Sequence, residues 1–186
     1  VTELGNSTFS SCKSLTNVNI PNKITTLNGT FYGCSSLPSI TIPNSVTKIG
    51  SNTFAACKAL TNIIIPNGVT SIGNNAFSGC SSLTDISIPN SVISIGTNAF
   101  SSTPWISAKL SENPMVVVNN LLIMVKKDSV EVDIPDTVNI PVSVDTFRPE
   151  IAKFALENGV TIVNDESGVF SKEMASLVKE YNANWI

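Results

Sequence analysis

A proline returns in this chain with the same neighbours at nearly constant spacing, and that period restricts the fold more than any other feature. Ile20-Pro21-Asn22, Ile42-Pro43-Asn44, Ile65-Pro66-Asn67 and Ile88-Pro89-Asn90 are separated by 22, 23 and 23 residues. Other columns keep the phase. Phe9, Phe31, Phe54, Phe77 and Phe100 form one, Cys12, Cys34, Cys57 and Cys80 a second, and Leu15, Leu37, Leu60 and Leu83 a third. The 22-residue step arises where Leu27-Asn28-Gly29-Thr30-Phe31 stands for Ile49-Gly50-Ser51-Asn52-Thr53-Phe54. Ile134-Pro135-Asp136 returns two periods after Pro89, so the frame survives a degenerate stretch before it decays. A unit this short cannot bury its own apolar side, but stacked copies bury a continuous one.

Within a unit, Leu60-Thr61-Asn62-Ile63-Ile64-Ile65 alternates, placing Ile63 and Ile65 on one side and Asn62 and Ile64 on the other. Period two predicts a short strand. Pro66-Asn67 predicts a turn, Val69 and Ile72 point back inward, and Gly73 is expected to permit the next bend. The expected fold is therefore a β-rich repeat solenoid whose short strands stack in parallel about 4.8 Å apart.

The columns quoted above resemble the BspA-like leucine-rich repeats, whose 23-residue pattern reads L-x-x-I-x-I-P-x-x-V-x-x-I-G-x-x-A-F-x-x-C-x-x. Leu60 through Cys80 matches nearly every fixed position. The likeness is close over residues 4–106 and loose over 113–147. Trp105 and Met115 through Ile123 look like an irregular, hairpin-containing unit. The resemblance implies a curved, right-handed leucine-rich-repeat coil. It also implies a secreted or cell-surface bacterial or protist protein that adheres to or captures a ligand and does not catalyse. The expected division is 1–106 regular leucine-rich repeats, 107–147 irregular and degenerate repeats, and 148–186 a C-terminal α/β cap of helix, strand and helix.

Composition narrows the function classes. The chain has no histidine, which removes His-based triads, acid/base work and metal sites. Net charge is −3, a poor footing for nucleic-acid binding. Residues 1–106 carry four lysines and two acids, and the remainder seven basic and twelve acidic residues, so two sub-regions differ in character. No apolar run reaches the ~18 residues of a membrane-spanning helix. No signal segment is expected in the sequence, which begins inside a repeat and reads as a fragment.

The cysteines invite a metal or disulfide reading, but their spacing is the repeat period and not that of zinc ligands. Stacked Cα atoms would lie roughly 5 Å apart with parallel Cβ vectors, unsuited to a bridge. The expectation is a structural thiol column of four buried cysteines acting as small hydrophobes. No cofactor and no metal are expected.

The strand residues facing away from the core are the candidate binding surface. They are Asn17, Asn19, Ser39, Thr41, Asn62, Ile64, Asp85, Ser87, Glu131 and Asp133. Small polar side chains offer donors and acceptors at low entropic cost, which suits glycans or extended peptides. The partner expected is a host or neighbouring-cell protein or glycan. Two alternatives stand beside it. One is a structural spacer projecting another domain. The other is a carboxylate hydrolase in the C-terminal region, for which Glu131 and Asp133 lack an evident cleft. Asn6-Ser7-Thr8 and Asn28-Gly29-Thr30 match the glycosylation pattern but read first as turn chemistry.

After residue 148 the period changes. Ile151, Phe154 and Ala155 predict a helix between Pro149 and Gly159, and Val160 to Val163 a strand. Ser171 is placed as the cap of a helix from Lys172 to about Asn182, with Met174, Leu177, Val178 and Tyr181 on one face. Trp185 would pack on the final coil.

Overall fold

A computed structural model describes residues 1–126, 129, 143–145, 149–157, 162–164, 172–181 and 184–185. The chain divides into two compact units, Val1–Ala108 and Lys109–Ile186.

In the first unit the period becomes a stack of coils, and each coil presents the same groups to its neighbours. The expected strands appear as β3 (Asn62–Ile64) and β5 (Asp85–Ser87), paired in parallel with Asn62 opposite Asp85 and Ile64 opposite Ser87. A second parallel sheet was not anticipated. It runs in the order β1 (Thr26–Leu27), β2 (Lys48–Ile49), β4 (Ser71–Ile72) and β6 (Ser94–Ile95). These strands carry the apolar residue that precedes each Gly column, so Leu27, Ile49 and Ile72 are buried while Thr26 and Lys48 are exposed. Two residues per coil are too short for alternation to show in the sequence.

The third side of each coil holds the phenylalanines. The backbone there is neither helix nor strand. Gly29, Phe31 and Gly33 donate N–H bonds to Ser51, Thr53 and Ala55 of the next coil at 2.9, 2.9 and 2.7 Å. Asn52, Phe54 and Ala56 donate likewise to Asn74, Ala76 and Ser78 at 2.9, 2.8 and 2.8 Å. Flanking the strands both senses occur: Thr70 and Gly73 donate back to Thr47 and Ile49 at 2.9 and 2.7 Å, and Ile65 donates forward to Ser87 at 3.0 Å. Alternate N–H groups on the phenylalanine side thus face forward along the stack, while those between them, such as Ala55 and Cys57, donate within their own coil to Asn52 and Phe54 at 3.3 and 3.1 Å.

That arrangement needs two left-handed residues per coil. One column is Ser7, Gly29, Asn52, Asn75 and Asn98, and the other Ser11, Gly33, Ala56, Gly79 and Ser102, with φ between 54° and 71°. Asn and Gly adopt this region at least cost. The left-handed asparagines are therefore these and not the ones after each proline. The proline turns close instead with Val46, Val69 and Val92 donating to Pro43, Pro66 and Pro89 at 3.0, 3.0 and 3.1 Å.

The role of the Gly50, Gly73 and Gly96 column also differs from expectation. Their φ values are not left-handed. A Cβ on Gly73 would lie 2.5 Å from Ser51 N and 2.6 Å from Gly50 C. These glycines let one coil's backbone touch the next, and no bend requires them.

The core is a set of side-chain columns. Phe31, Phe54 and Phe77 are fully buried, as are Leu37, Leu60 and Leu83. The rings of Phe9, Phe31, Phe54, Phe77 and Phe100 stack with centroids 5.4, 5.5, 5.3 and 5.6 Å apart and planes within 13° of parallel. Such offset pairs add about 0.5–1.5 kcal/mol each beyond burial. Trp105 ends the ladder, tilted 60° to Phe100 at 5.0 Å. It belongs to α1 (Pro104–Glu112), where an irregular unit was expected. Thr103 caps this helix: its Oγ accepts from Ile106 N at 3.2 Å and donates to Phe100 O at 2.8 Å, with Pro104 in the first helical position.

The second unit is built differently. β7 (Met115–Val118) and β8 (Leu121–Val125) form the expected hairpin, closed by Asn119 and Asn120 at φ 51° and 63°. Two left-handed residues in a two-residue loop match the twist of a hairpin. A parallel sheet then follows in the order β9 (Ser143–Asp145), β10 (Ile162–Asn164) and β11 (Asn184–Trp185). Between these strands run α2 (Pro149–Glu157) and α3 (Lys172–Glu180), close to the helices read from sequence. Ala152, Leu156, Met174 and Leu177 bury against one another with Val178 and Tyr181 beside them. Ser171 and the Trp185 side chain lie outside the described residues.

Two substitutions separate backbone contact from backbone conformation. Gly73→Ala should destabilise the repeat unit by about 1–3 kcal/mol, because the neighbours of the new methyl group are main chain. Ala56→Gly should stabilise it by about 1 kcal/mol by relieving a left-handed alanine. Urea unfolding followed by circular dichroism measures both, and shifts of the same sign would contradict the assignment.

Candidate functional site

The β3/β5 face is a grid set by the coil period. Backbone pairing puts equivalent residues on neighbouring coils about 4.8 Å apart, while alternation along a strand leaves every second side chain outside. Asn17, Asn19, Ser39, Thr41, Asn62, Ile64, Asp85 and Ser87 are all exposed. Ile63 and Ile65 between them are 2% exposed, which fixes the inward face. Residues 17–19 and 39–41 keep the outward exposure without regular strand pairing. Asp85 is the one ionisable side chain among the eight. Ile64, 72% exposed, supplies an apolar point in an otherwise polar grid. Glu131 and Asp133 lie outside the described residues.

Threonines beside the grid hold the coils in register. Thr61 N–H donates to Pro38 O and Thr84 N–H to Thr61 O at 3.3 and 3.0 Å, and the Thr84 hydroxyl reaches Thr61 O at 3.3 Å. The outward residues of β3 and β5 are therefore mounted on strands held in register by backbone pairing, with their side chains facing away from the core.

A second concave region escaped the sequence reading. The outer face of the four-stranded sheet forms a groove of about 430 Å³, lined by Thr26, Asn28, Lys48, Ser51, Ser71, Asn74 and Ser94 among others. Beside it lies a depression of about 580 Å³ with Tyr32 in its wall. The signal for it was the polar residue before each Ile-Gly pair, hidden because the strands it marks are so short.

The thiol column is partly as expected. All four cysteines are free, and Cys34, Cys57 and Cys80 are buried. Cys12 is exposed, contrary to the expected burial. Nor are the buried thiols simply hydrophobes. The sulfur of Cys34 donates to Phe9 O, that of Cys57 to Phe31 O and that of Cys80 to Phe54 O, at 3.1, 3.1 and 3.0 Å. Each therefore ties its coil to the one before. Burial pushes the Cys57 thiol far up, and that of Cys80 up to about 12; burial also raises Cys34.

In the second unit, β9 and β10 pair with Asn164 opposite Asp145, so a carboxamide-bearing and a carboxylate-bearing residue are neighbours at the carboxyl ends of parallel strands. Sequence alone places Asn164 at the start of a loop and does not join it to Asp145, because only pairing across the intervening helix brings them together.

Comparison with known proteins separates the same two regions. A family model described as BspA type leucine rich repeat region matches residues 2–122 in six copies. A model described as pterin binding enzyme matches residues 129–186. Over 46 residues the chain is 41% identical to dihydropteroate synthase of Staphylococcus epidermidis, a stretch covering 24% of this chain and 17% of that protein. Among solved structures, a leucine rich repeat protein of T. pallidum superposes with a TM-score of 0.53 at 35% identity, over 54% of this chain and 48% of that one. A leucine rich cell surface protein from Faecalibacterium prausnitzii aligns at 25% identity and a TM-score of 0.49, over 91% of this chain and 47% of that one. The chain spans about half the length of these solved proteins and under a fifth of the synthase. Among the described residues no helix is long and apolar enough to cross a membrane.

The thiols give a direct check on this geometry. In native protein a thiol reagent should modify Cys12 at once and the other three only as fast as the coils open. Raised thiol pKa values mean that the native state holds those protons more tightly than the unfolded chain. Stability contributed by these groups is present below the ordinary thiol value of 9.0 and is lost as pH rises above it. Prompt modification of Cys57 at neutral pH would contradict the buried, hydrogen-bonded column.

Proposed function

Because the chain belongs to the BspA-type leucine-rich repeat proteins, we propose that its repeat region binds an extended macromolecule at a cell surface through the β3/β5 face. Cell-surface placement is typical of the family, and binding is the role the family suggests. The observation carrying the finer reading is the exposed, in-register grid of Asn62, Ile64, Asp85 and Ser87 on two strands paired in parallel. A ligand with a repeat of its own, a glycan or an extended peptide of a host or neighbouring cell, matches such a grid. An adhesive, non-catalytic role is the reading we attach to this face, on which Asp85 stands opposite Asn62. The spacer alternative would leave this face without a ligand.

Glycan and protein arrays probed with the whole chain test this reading. Saturable binding that falls at least about tenfold (about 1.4 kcal/mol) in Asn62→Trp and Asp85→Trp variants supports it. These positions are exposed, so folding stability should change by no more than about 0.5 kcal/mol. Absence of saturable binding would favour the spacer, and binding that survives both changes would move the site elsewhere.

The second unit supports a separate reading. Three parallel strands joined through helices, matched by the pterin-binding model, place Asp145 and Asn164 together at the strand ends where α/β sheets bind ligands. We propose that this unit is a partial pterin-type binding element. Thermal shift with a free pterin as probe should show stabilisation that Asp145→Asn removes; an unchanged melting curve would sink this reading and leave the repeat face untouched.

A further inference from the structure

The described residues contain two Asn-Gly pairs, Asn28-Gly29 and Asn67-Gly68, and the fold treats them in opposite ways. In the first, Gly29 N–H donates to Ser51 O at 2.9 Å within the forward-facing ladder, and Asn28 N–H donates to Thr30 Oγ1 at 3.0 Å. Gly29 is also held left-handed at φ 59°. In the second, Asn67 and Gly68 are both exposed in the turn that Val69 N closes onto Pro66 O, and Gly68 N–H has no acceptor among the described residues. The other proline turns carry Lys23, Ser45 and Ser91 where this one carries Gly68.

We infer that Asn67 is a site of spontaneous modification, converted to aspartate and isoaspartate in the folded protein, while the coil ladder protects Asn28. The Gly68 nitrogen gives its proton to solvent base and attacks Asn67 Cγ. The new N–C bond closes a five-membered imide as the Cγ–NH2 bond breaks and ammonia leaves. Water then opens the imide at either carbonyl. The net change is amide plus water to carboxyl plus ammonia, with no oxidation. At Asn67 the nucleophile is free and no side chain at residue 68 obstructs the ring. At Asn28 the same attack must first break a bond between coils. The product adds one negative charge to a chain of net −3. In its iso form it also adds a main-chain carbon between residue 67 and Gly68, one residue ahead of Val69, which is fully buried.

Peptide mass spectrometry of whole protein aged in mildly alkaline buffer, with fragmentation that separates aspartate from isoaspartate, tests this. Conversion should run at least about tenfold faster at Asn67 than at Asn28, a barrier difference of about 1.4 kcal/mol. In urea the two sites should convert at similar rates. Gly68→Ser, which copies the neighbouring turns, should slow Asn67 while leaving the circular dichroism spectrum unchanged. Equal rates in the folded protein, an intact Asn67 where the unfolded chain converts, or an unchanged rate in Gly68→Ser would each overturn the inference.

Discussion

Contact between the main chains of successive coils is the constraint from which the repeat unit follows. Hydrogen bonds of 2.6–3.3 Å run from coil to coil on every side. That distance fixes the rise, and the rise decides which side chains can recur. A residue in such a column packs against a copy of itself, so it must be complementary to its own shape. Phenylalanine satisfies this by offset stacking at 5.3–5.6 Å. Cysteine satisfies it by donating to the carbonyl of the coil before. Glycine in the Gly73 column satisfies it by having nothing to place there.

The sequence made the stack readable because each column repeats one side chain. Burial of the Phe, Leu and Ile columns and exposure of Asn62 and Asp85 follow from period and alternation alone. What escaped was backbone conformation. The left-handed columns mix Ser, Gly, Asn and Ala, and Ala56 carries no sign of its unusual φ. The four-stranded sheet hides for a related reason, since two residues per strand cannot display a period of two. The helix α1 did have a signal, the Thr103-Pro104 cap, but the period masked it by suggesting that another coil should follow.

The candidate grid was legible as a set of outward residues because alternation dictates it. Its neighbouring groove was not, since a concavity depends on how coils are spaced around a close backbone contact. The pairing of Asp145 with Asn164 was illegible for a different reason. They are 19 residues apart in sequence with α2 between them, and only parallel pairing of β9 with β10 brings them together. The second unit buries its helices α2 and α3 against each other, whereas the first buries coil against coil. Serial stacking lets a sequence reader add units one at a time. A helix-connected parallel sheet must be assembled whole before any residue's neighbours are known.

Cysteine shows how far a column can carry an argument. Four residues share one register, one spacing and one set of flanking columns, yet Cys12 is exposed and Cys57 fully buried. Identity of position in the repeat therefore fixes conformation and direction, while burial is fixed by the coils on either side. The same distinction applies to Phe9, half-buried where Phe31 is fully so. A column is a statement about geometry, and its energetics belong to the pair of interfaces around it. Stability in such a stack accumulates at the contacts between coils, so a substitution in a central coil perturbs two interfaces. The proton affinity of each thiol follows the same rule, since desolvation is the largest cause of the raised values at Cys34, Cys57 and Cys80.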